Sequence, residues 1–142
     1  MEESSMNASG RCLCGAVTFT ARDVERGLHV CHCSMCRRWT GGPSFSTHVG
    51  GVVFEGDEHI ARFQSSDWAE RGFCKRCGTS LFYRLVEPDQ YILHMGSFDD
   101  PSFFSVESEI YVDGKPPGYE IGGEHPRLTE AEFLASLGGQ GD

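Results

Sequence analysis

The sequence predicts a mainly β fold of antiparallel strands with one short helix near the C-terminus. Three observations carry this. Short runs rich in β-branched and aromatic residues recur along the chain, several of them alternating apolar and polar. Eighteen glycines, with Gly41-Gly42-Pro43 and Gly50-Gly51 as the plainest turns, break these runs at short intervals. All seven cysteines fall into three tight clusters, the pattern of a chain knit by zinc.

In chain order, Ala16–Thr20, Ser44–Val49, Ser80–Val86, Tyr91–Met95 and Glu109–Val112 are the expected strands. Ser34 is placed to cap a short helical turn starting at Met35, which brings Cys36 near a helix N-terminus, where thiolates are favoured. The C-terminal helix is signalled by the capping box Thr129-Glu130-Ala131-Glu132, followed by an apolar stripe of Phe133, Leu134 and Leu137 and stopped by Gly138-Gly139. A length of 142 residues fits one domain, expected over 10–137, with flexible tails at 1–9 and 138–142.

Composition narrows the function. Apolar residues at 39% and charged residues at 23% are ordinary for a globular chain. Twelve Lys and Arg against 21 Asp and Glu leave a net charge of −9. Such a chain repels phosphate backbones and anionic lipid, so neither nucleic acid nor a membrane surface is expected as a partner. No apolar run nears the roughly 20 residues of a bilayer span. The acidic start, Met1-Glu2-Glu3-Ser4-Ser5, lacks the apolar stretch of a secretory signal, so the expected compartment is the reducing cytoplasm. There, dense thiols more often bind metal than form disulfides, and seven is an odd number for a closed disulfide framework.

The first cluster, Cys12-Leu13-Cys14-Gly15, and the third, Cys74-Lys75-Arg76-Cys77-Gly78, look alike: two thiols on a tight turn, followed by glycine. Glycine accepts the positive φ that curls the chain and aims amide N–H groups at sulfur. Two such turns complete a four-thiolate tetrahedral site for a structural zinc joining distant parts of the chain. The second cluster, Cys31-His32-Cys33-Ser34-Met35-Cys36, has three thiols and runs into Arg37-Arg38-Trp39. Three protein ligands leave a fourth position open, the mark of a catalytic zinc. Two other readings stay open on spacing. One is a closed site with His32 as fourth ligand, although a residue between two ligands points its side chain the other way. The other is a redox trio suited to disulfide exchange.

Arg37 and Arg38 would offset the net negative charge of a three-thiolate zinc. With Trp39, they are the candidates for substrate contact. The other polar and aromatic residues carry less. His48 and His94 lie in strand patterns, while His29, His59 and His125 belong to no motif. Trp39 and Trp68 read as core residues, and Asp99-Asp100 before Pro101 reads as a turn. Glu109 reads as a solvated strand residue; buried beside the zinc, it would become an acid–base group.

With the clusters in place, Gly10-Arg11-Cys12-Leu13-Cys14-Gly15-Ala16-Val17 resembles the opening motif of the glutathione-dependent formaldehyde-activating (GFA) enzyme family, which shares its domain with centromere protein V. Cys31-His32-Cys33-Ser34-Met35-Cys36-Arg37-Arg38 resembles that family's second motif, and Arg71-Gly72-Phe73-Cys74-Lys75-Arg76-Cys77-Gly78-Thr79-Ser80-Leu81 its third. Gly96-Ser97-Phe98-Asp99-Asp100-Pro101 is similar to a later family segment. The resemblance implies several small β-sheets like those of the zinc-binding Mss4-like proteins. It also implies a structural zinc on Cys12, Cys14, Cys74 and Cys77 and a catalytic zinc on Cys31, Cys33 and Cys36. Two positions depart from the family pattern: Glu109 stands where a histidine is common, and Gly118, beside Tyr119, where a tryptophan is common. Neither is a zinc ligand; both bear on the substrate pocket.

The activity this resemblance implies is that of a carbon–sulfur lyase working in the synthetic direction. It joins a small-molecule thiol, glutathione or a similar one, to formaldehyde or a related carbonyl as an S-hydroxymethyl adduct. Three thiolates donate strongly to zinc, so water activation is expected to be weaker than at a three-histidine site. A thiol entering the open position, by contrast, loses its proton from a reference pKa of about 8.5. The alternatives are a non-catalytic zinc-binding interaction module and a thiol redox sensor built on residues 31, 33 and 36.

Overall fold

The computed structural model describes residues 5–137. In chain order the strands are β1 (Ser5–Arg11), β2 (Thr18–Glu25), β3 (Gly27–Cys31), β4 (Ser44–His48), β5 (Gly51–Glu55), β6 (Ile60–Gln64), β7 (Ala69–Cys74), β8 (Ser80–Leu85), β9 (Gln90–His94), β10 (Ser105–Ile110) and β11 (Arg127–Leu128). The helices are α1 (Ser34–Thr40), between β3 and β4, and α2 (Glu130–Leu137), after β11. The protein is therefore mainly β, as its alternating runs and frequent turns lead one to expect. No helix among the described residues is long and apolar enough to cross a membrane. The described residues fall into two compact units.

The first unit holds the described residues up to Arg26 together with Ser46–Phe104. β1, β2 and β5 form an antiparallel sheet in which Phe19 faces Gly10 on one side and Phe54 on the other. Residues 5–9, expected in a flexible tail, are instead the first part of β1. Residues 1–4 and 138–142 of the expected tails lie outside the described residues. In β2, burial passes from Phe19 and Ala21 to Val24, because Asp23 takes a left-handed φ of 52° and shifts the alternation by one residue. Asp tolerates that conformation better than a β-branched residue does. β9, β8, β7 and β6 pair antiparallel in that order, with the Ser46–His48 part of β4 on the far side of β9. β7 reads Ala-Glu-Arg-Gly-Phe-Cys and shows no strand signal; it forms because β6 and β8 pair with both its edges.

The core of this unit is aromatic. Phe19 packs edge-on against Phe98 at 5.2 Å between ring centroids, and Phe82 against Tyr91 at 4.9 Å. Such pairs add about 0.5–1.5 kcal/mol each beyond their burial. Cys12 and Cys74 are buried in the same cluster. Trp68, expected in a core, is 58% exposed: it lies in the β6–β7 connection, outside the strands that carry the packing.

The second unit holds Gly27–Phe45 and the chain from Ser105 onward. Here β10 runs between β3 and β11 and is parallel to both, a departure from the antiparallel expectation. Parallel neighbours need long connections, and the chain between β3 and β10, like that between β10 and β11, supplies them. The strand expected at Glu109–Val112 instead spans Ser105–Ile110. It stops because Tyr111 adopts a left-handed φ of 59° and a single 3-10 turn, Val112–Gly114, follows. The capping box of α2 forms as the sequence indicates. The Glu132 N–H donates to Thr129 Oγ1 at 3.1 Å, and the Thr129 N–H donates to a Glu132 carboxylate oxygen at 2.8 Å.

Candidate metal centres

The first centre lies in the first unit, where the β1–β2 connection meets the β7–β8 turn. Cys12 and Cys14 come from the former, Cys74 and Cys77 from the latter. All four sulfurs lie within 4.8 Å of one another, with Cys12–Cys14 at 3.7 Å and Cys14–Cys74 at 3.8 Å. A tetrahedron with metal–sulfur bonds of about 2.3 Å has an edge of about 3.8 Å, so the donor set and its spacing fit zinc.

Local geometry explains the spacing. Gly15 and Gly78 take φ values of 81° and 83°, and their N–H groups donate to the carbonyls of Cys12 and Cys74 at 3.2 and 2.7 Å. Each turn thereby curls back on its first cysteine. The Val17 N–H then donates to the Cys12 sulfur and the Arg76 N–H to the Cys74 sulfur, both at 3.4 Å. Thr79, which no sequence argument singled out, ties the two turns together. It accepts from the Leu13 N–H at 3.0 Å, and its hydroxyl lies 3.1 Å from the Cys77 sulfur. That hydroxyl and the Thr79 backbone N–H pull the Cys77 thiol down to about 5.

The second centre lies in the second unit. β3 ends at Cys31, and α1 begins just beyond Cys33, with Cys36 in its first turn. Cys33, rather than Ser34, is the N-cap: its φ and ψ are −65° and 160°, and its sulfur accepts from the Cys36 N–H at 3.3 Å. The cap and the chelating loop are thus the same few atoms. The three sulfurs also lie within 4.8 Å of one another. Hydrogen bonds from Cys31, then Cys36, draw the Cys33 thiol down to about 2, and the same sharing drives Cys31 upward. Among the described residues, no His, Asp or Glu donor joins these three sulfurs.

His32 does not join them because both its ring nitrogens are engaged elsewhere. Nε2 donates to Glu109 Oε1 at 2.8 Å, and Nδ1 lies 3.2 Å from the Tyr119 hydroxyl. Glu109, expected to be solvated, is only 1% exposed. Its other oxygen accepts from His125 Nε2 at 2.6 Å and Arg127 Nε at 3.0 Å. Burial works against ionisation, but the hydrogen bonds from His125 and His32 and the Arg127 charge hold the carboxyl below its ordinary range. Sequence reasoning does not single out Tyr119, His125 or Arg127 as site residues, because only the tertiary fold brings Tyr119 to His32 and brings His125 and Arg127 to Glu109. Of the residues that follow Cys36, Arg37 and Trp39 are half-buried and Arg38 is exposed. Neither guanidinium forms an ion pair among the described residues.

Comparison with known proteins places this geometry in a family. Residues 7–114 match the glutathione-dependent formaldehyde-activating enzyme family. An uncharacterized lyase of Schizosaccharomyces pombe is 31% identical over 131 residues, covering 90% of this chain and 95% of its own. A protein of Halomonas elongata, assigned by name to the glutathione-dependent formaldehyde-activating enzymes, is 32% identical over 153 residues, covering 94% of this chain and 98% of its own. The crystal structure of a Rhodobacter sphaeroides protein shares the fold, with a TM-score of 0.54 at 22% identity over 84% of this chain and 98% of that one. The matched segment carries all seven cysteines, and the chain belongs to the glutathione-dependent formaldehyde-activating enzyme family.

Proposed function

We propose that the protein is a zinc-dependent carbon–sulfur lyase acting in the synthetic direction on a small-molecule thiol and formaldehyde, with glutathione as the first thiol to test. The observation that carries this reading is the three-sulfur cluster, which no His, Asp or Glu among the described residues completes, its intervening histidine turned onto Glu109 and Tyr119. The name of the Schizosaccharomyces relative supports a lyase, and that of the Halomonas relative supports the substrate class.

Cys12, Cys14, Cys74 and Cys77 hold a structural zinc, and Cys31, Cys33 and Cys36 a catalytic one. An ion held by the latter three sulfurs would supply Lewis acidity that favours the thiolate form of a thiol substrate. In the reaction the sulfur–carbon bond forms, the carbonyl π bond breaks, and the proton lost by the thiol ends on the former carbonyl oxygen. The chain's own part is positioning. Arg37 and Arg38, which follow Cys36 on α1, would pair with substrate carboxylates, and Trp39 would add an apolar contact. The cytoplasm, where thiols stay reduced, is the compartment this reading suits.

Exchange NMR of free glutathione with its formaldehyde adduct tests the reading. Zinc-loaded protein is expected to accelerate exchange at least about tenfold over buffer, and Cys33→Ser protein is expected not to. Acceleration by neither protein, with two zinc ions bound per wild-type chain, would overturn the assignment of this reaction.

A further inference from the structure

We propose that Glu109 is a positioning residue for the second metal centre: it holds His32, and through His32 it sets the two sulfurs on either side. The inference rests on reading Cys31, Cys33 and Cys36 as a metal site. His32 is the one residue between two of those ligands, so any rotation of its backbone displaces both sulfurs. It is fastened at three points, all on residues 109–119. Its N–H donates to the Ile110 carbonyl at 3.1 Å, its Nε2 to Glu109 Oε1 at 2.8 Å, and its Nδ1 faces the Tyr119 hydroxyl at 3.2 Å. A neutral imidazole with its proton on Nε2 satisfies both ring contacts at once, donating to the carboxylate and accepting from the phenol.

Glu109 is suited to be the fixed end of this chain. It sits opposite Val30 on β3 and Arg127 on β11, so its backbone is paired on both sides. Its carboxylate divides its work: Oε1 serves His32, while Oε2 takes His125 and Arg127. A buried carboxylate is costly unless every oxygen is paired, and an apolar residue would fill a central strand position more cheaply. Two of its three donors, His125 and Arg127, do nothing for the trio directly; they lock the carboxylate that orients His32. Glutamine keeps one acceptor oxygen where the carboxylate offers two, so with that oxygen on His125 and Arg127 its NH2 would face His32 Nε2 and force the imidazole into the other tautomer or away from residue 109. Partners of this kind, one step behind the ligands, typically change metal affinity 10–100-fold when removed.

The test uses the full chain loaded with Zn2+ or Co2+, with chelator competition and the cobalt–thiolate charge-transfer band as readouts. Cys33→Ser protein marks the signal of the first centre alone. Wild type is expected to hold two ions. Glu109→Gln is expected to hold the first unchanged, to bind the second 10–100-fold more weakly, and to show an altered cobalt band for that centre only. Two ions held by Glu109→Gln with wild-type affinity and spectrum would overturn the proposal while leaving the metal site standing. A single ion in wild type, bound at the first centre, would overturn both. Should Glu109→Gln fail to fold and release both ions, Tyr119→Phe decides, since it removes only the hydroxyl that orients the same imidazole. A several-fold loss confined to the second centre then supports the proposal, and wild-type affinity overturns it.

Discussion

The sulfur of Cys14 lies 3.8 Å from that of Cys74, sixty residues along the chain, so an ion held at this point would tie the β1–β2 connection to the β7–β8 turn. Two of its ligands, Cys12 and Cys74, also belong to the apolar core of the first unit. Losing a sulfur donor here would remove the staple that a bound ion supplies. Cys74→Ser is expected to lose one zinc per chain and to lower the melting temperature by at least about 10 °C, equivalent to roughly 3 kcal/mol or more. Calorimetry with metal analysis checks this.

Cys33 combines two duties that substitution can separate. Serine is a good N-cap, so Cys33→Ser is expected to keep α1 while losing the second ion and the exchange activity. Cys33→Ala is expected to lose the cap as well and to be about 1 kcal/mol less stable than Cys33→Ser. Urea melts of the two metal-free variants give the difference.

Arg37 and Arg38 follow the last ligand of the trio without ion-pair partners among the described residues. If they receive substrate carboxylates, Arg37→Gln or Arg38→Gln is expected to raise KM for glutathione about tenfold, the worth of one charge-assisted contact, and to leave kcat nearly unchanged. A small thiol lacking carboxylates, compared on the same variants, is expected to show no such change.

His94 provides a pH signature. Burial, and then the charge of Arg71, pull it from 6.5 to about 4. The unfolded chain therefore takes up a proton near pH 6.5 that the folded chain accepts only near 4. Stability is expected to fall across that window as pH drops, by on the order of 3 kcal/mol, and to level off below it. Glu109, whose carboxyl is held low against burial by His125 and His32, adds a further loss only below about 4.5. In His94→Gln protein, stability measured between pH 7 and 5 is expected to be nearly flat.

The reciprocal bonds between Thr129 and Glu132 are the clearest local stabiliser of α2. Thr129→Ala is expected to cost about 1 kcal/mol locally. Faster amide hydrogen exchange over 130–137, without a change elsewhere, is the readout.

What the sequence by itself determined is what short spacing controls. Both cysteine turns, their glycines and the three-plus-four division of the thiols follow from residues one to three apart, where chain geometry leaves few alternatives. The capping box is local in the same way. Strands with apolar alternation, such as β8 and β9, were legible, whereas β1 and β7 were not, because cross-strand neighbours rather than their own composition make them strands. Tertiary structure alone decided what lies behind the second centre. Glu109 reads as a solvated residue until β3 and β11 close on either side of β10 and bring His32, His125 and Arg127 to its carboxylate. Those partners stand 77, 16 and 18 residues away, so no local pattern encodes them. A carboxylate becomes a buried anchor only when the fold supplies its donors, and parallel pairing, which needs long connections, supplies them from far along the chain.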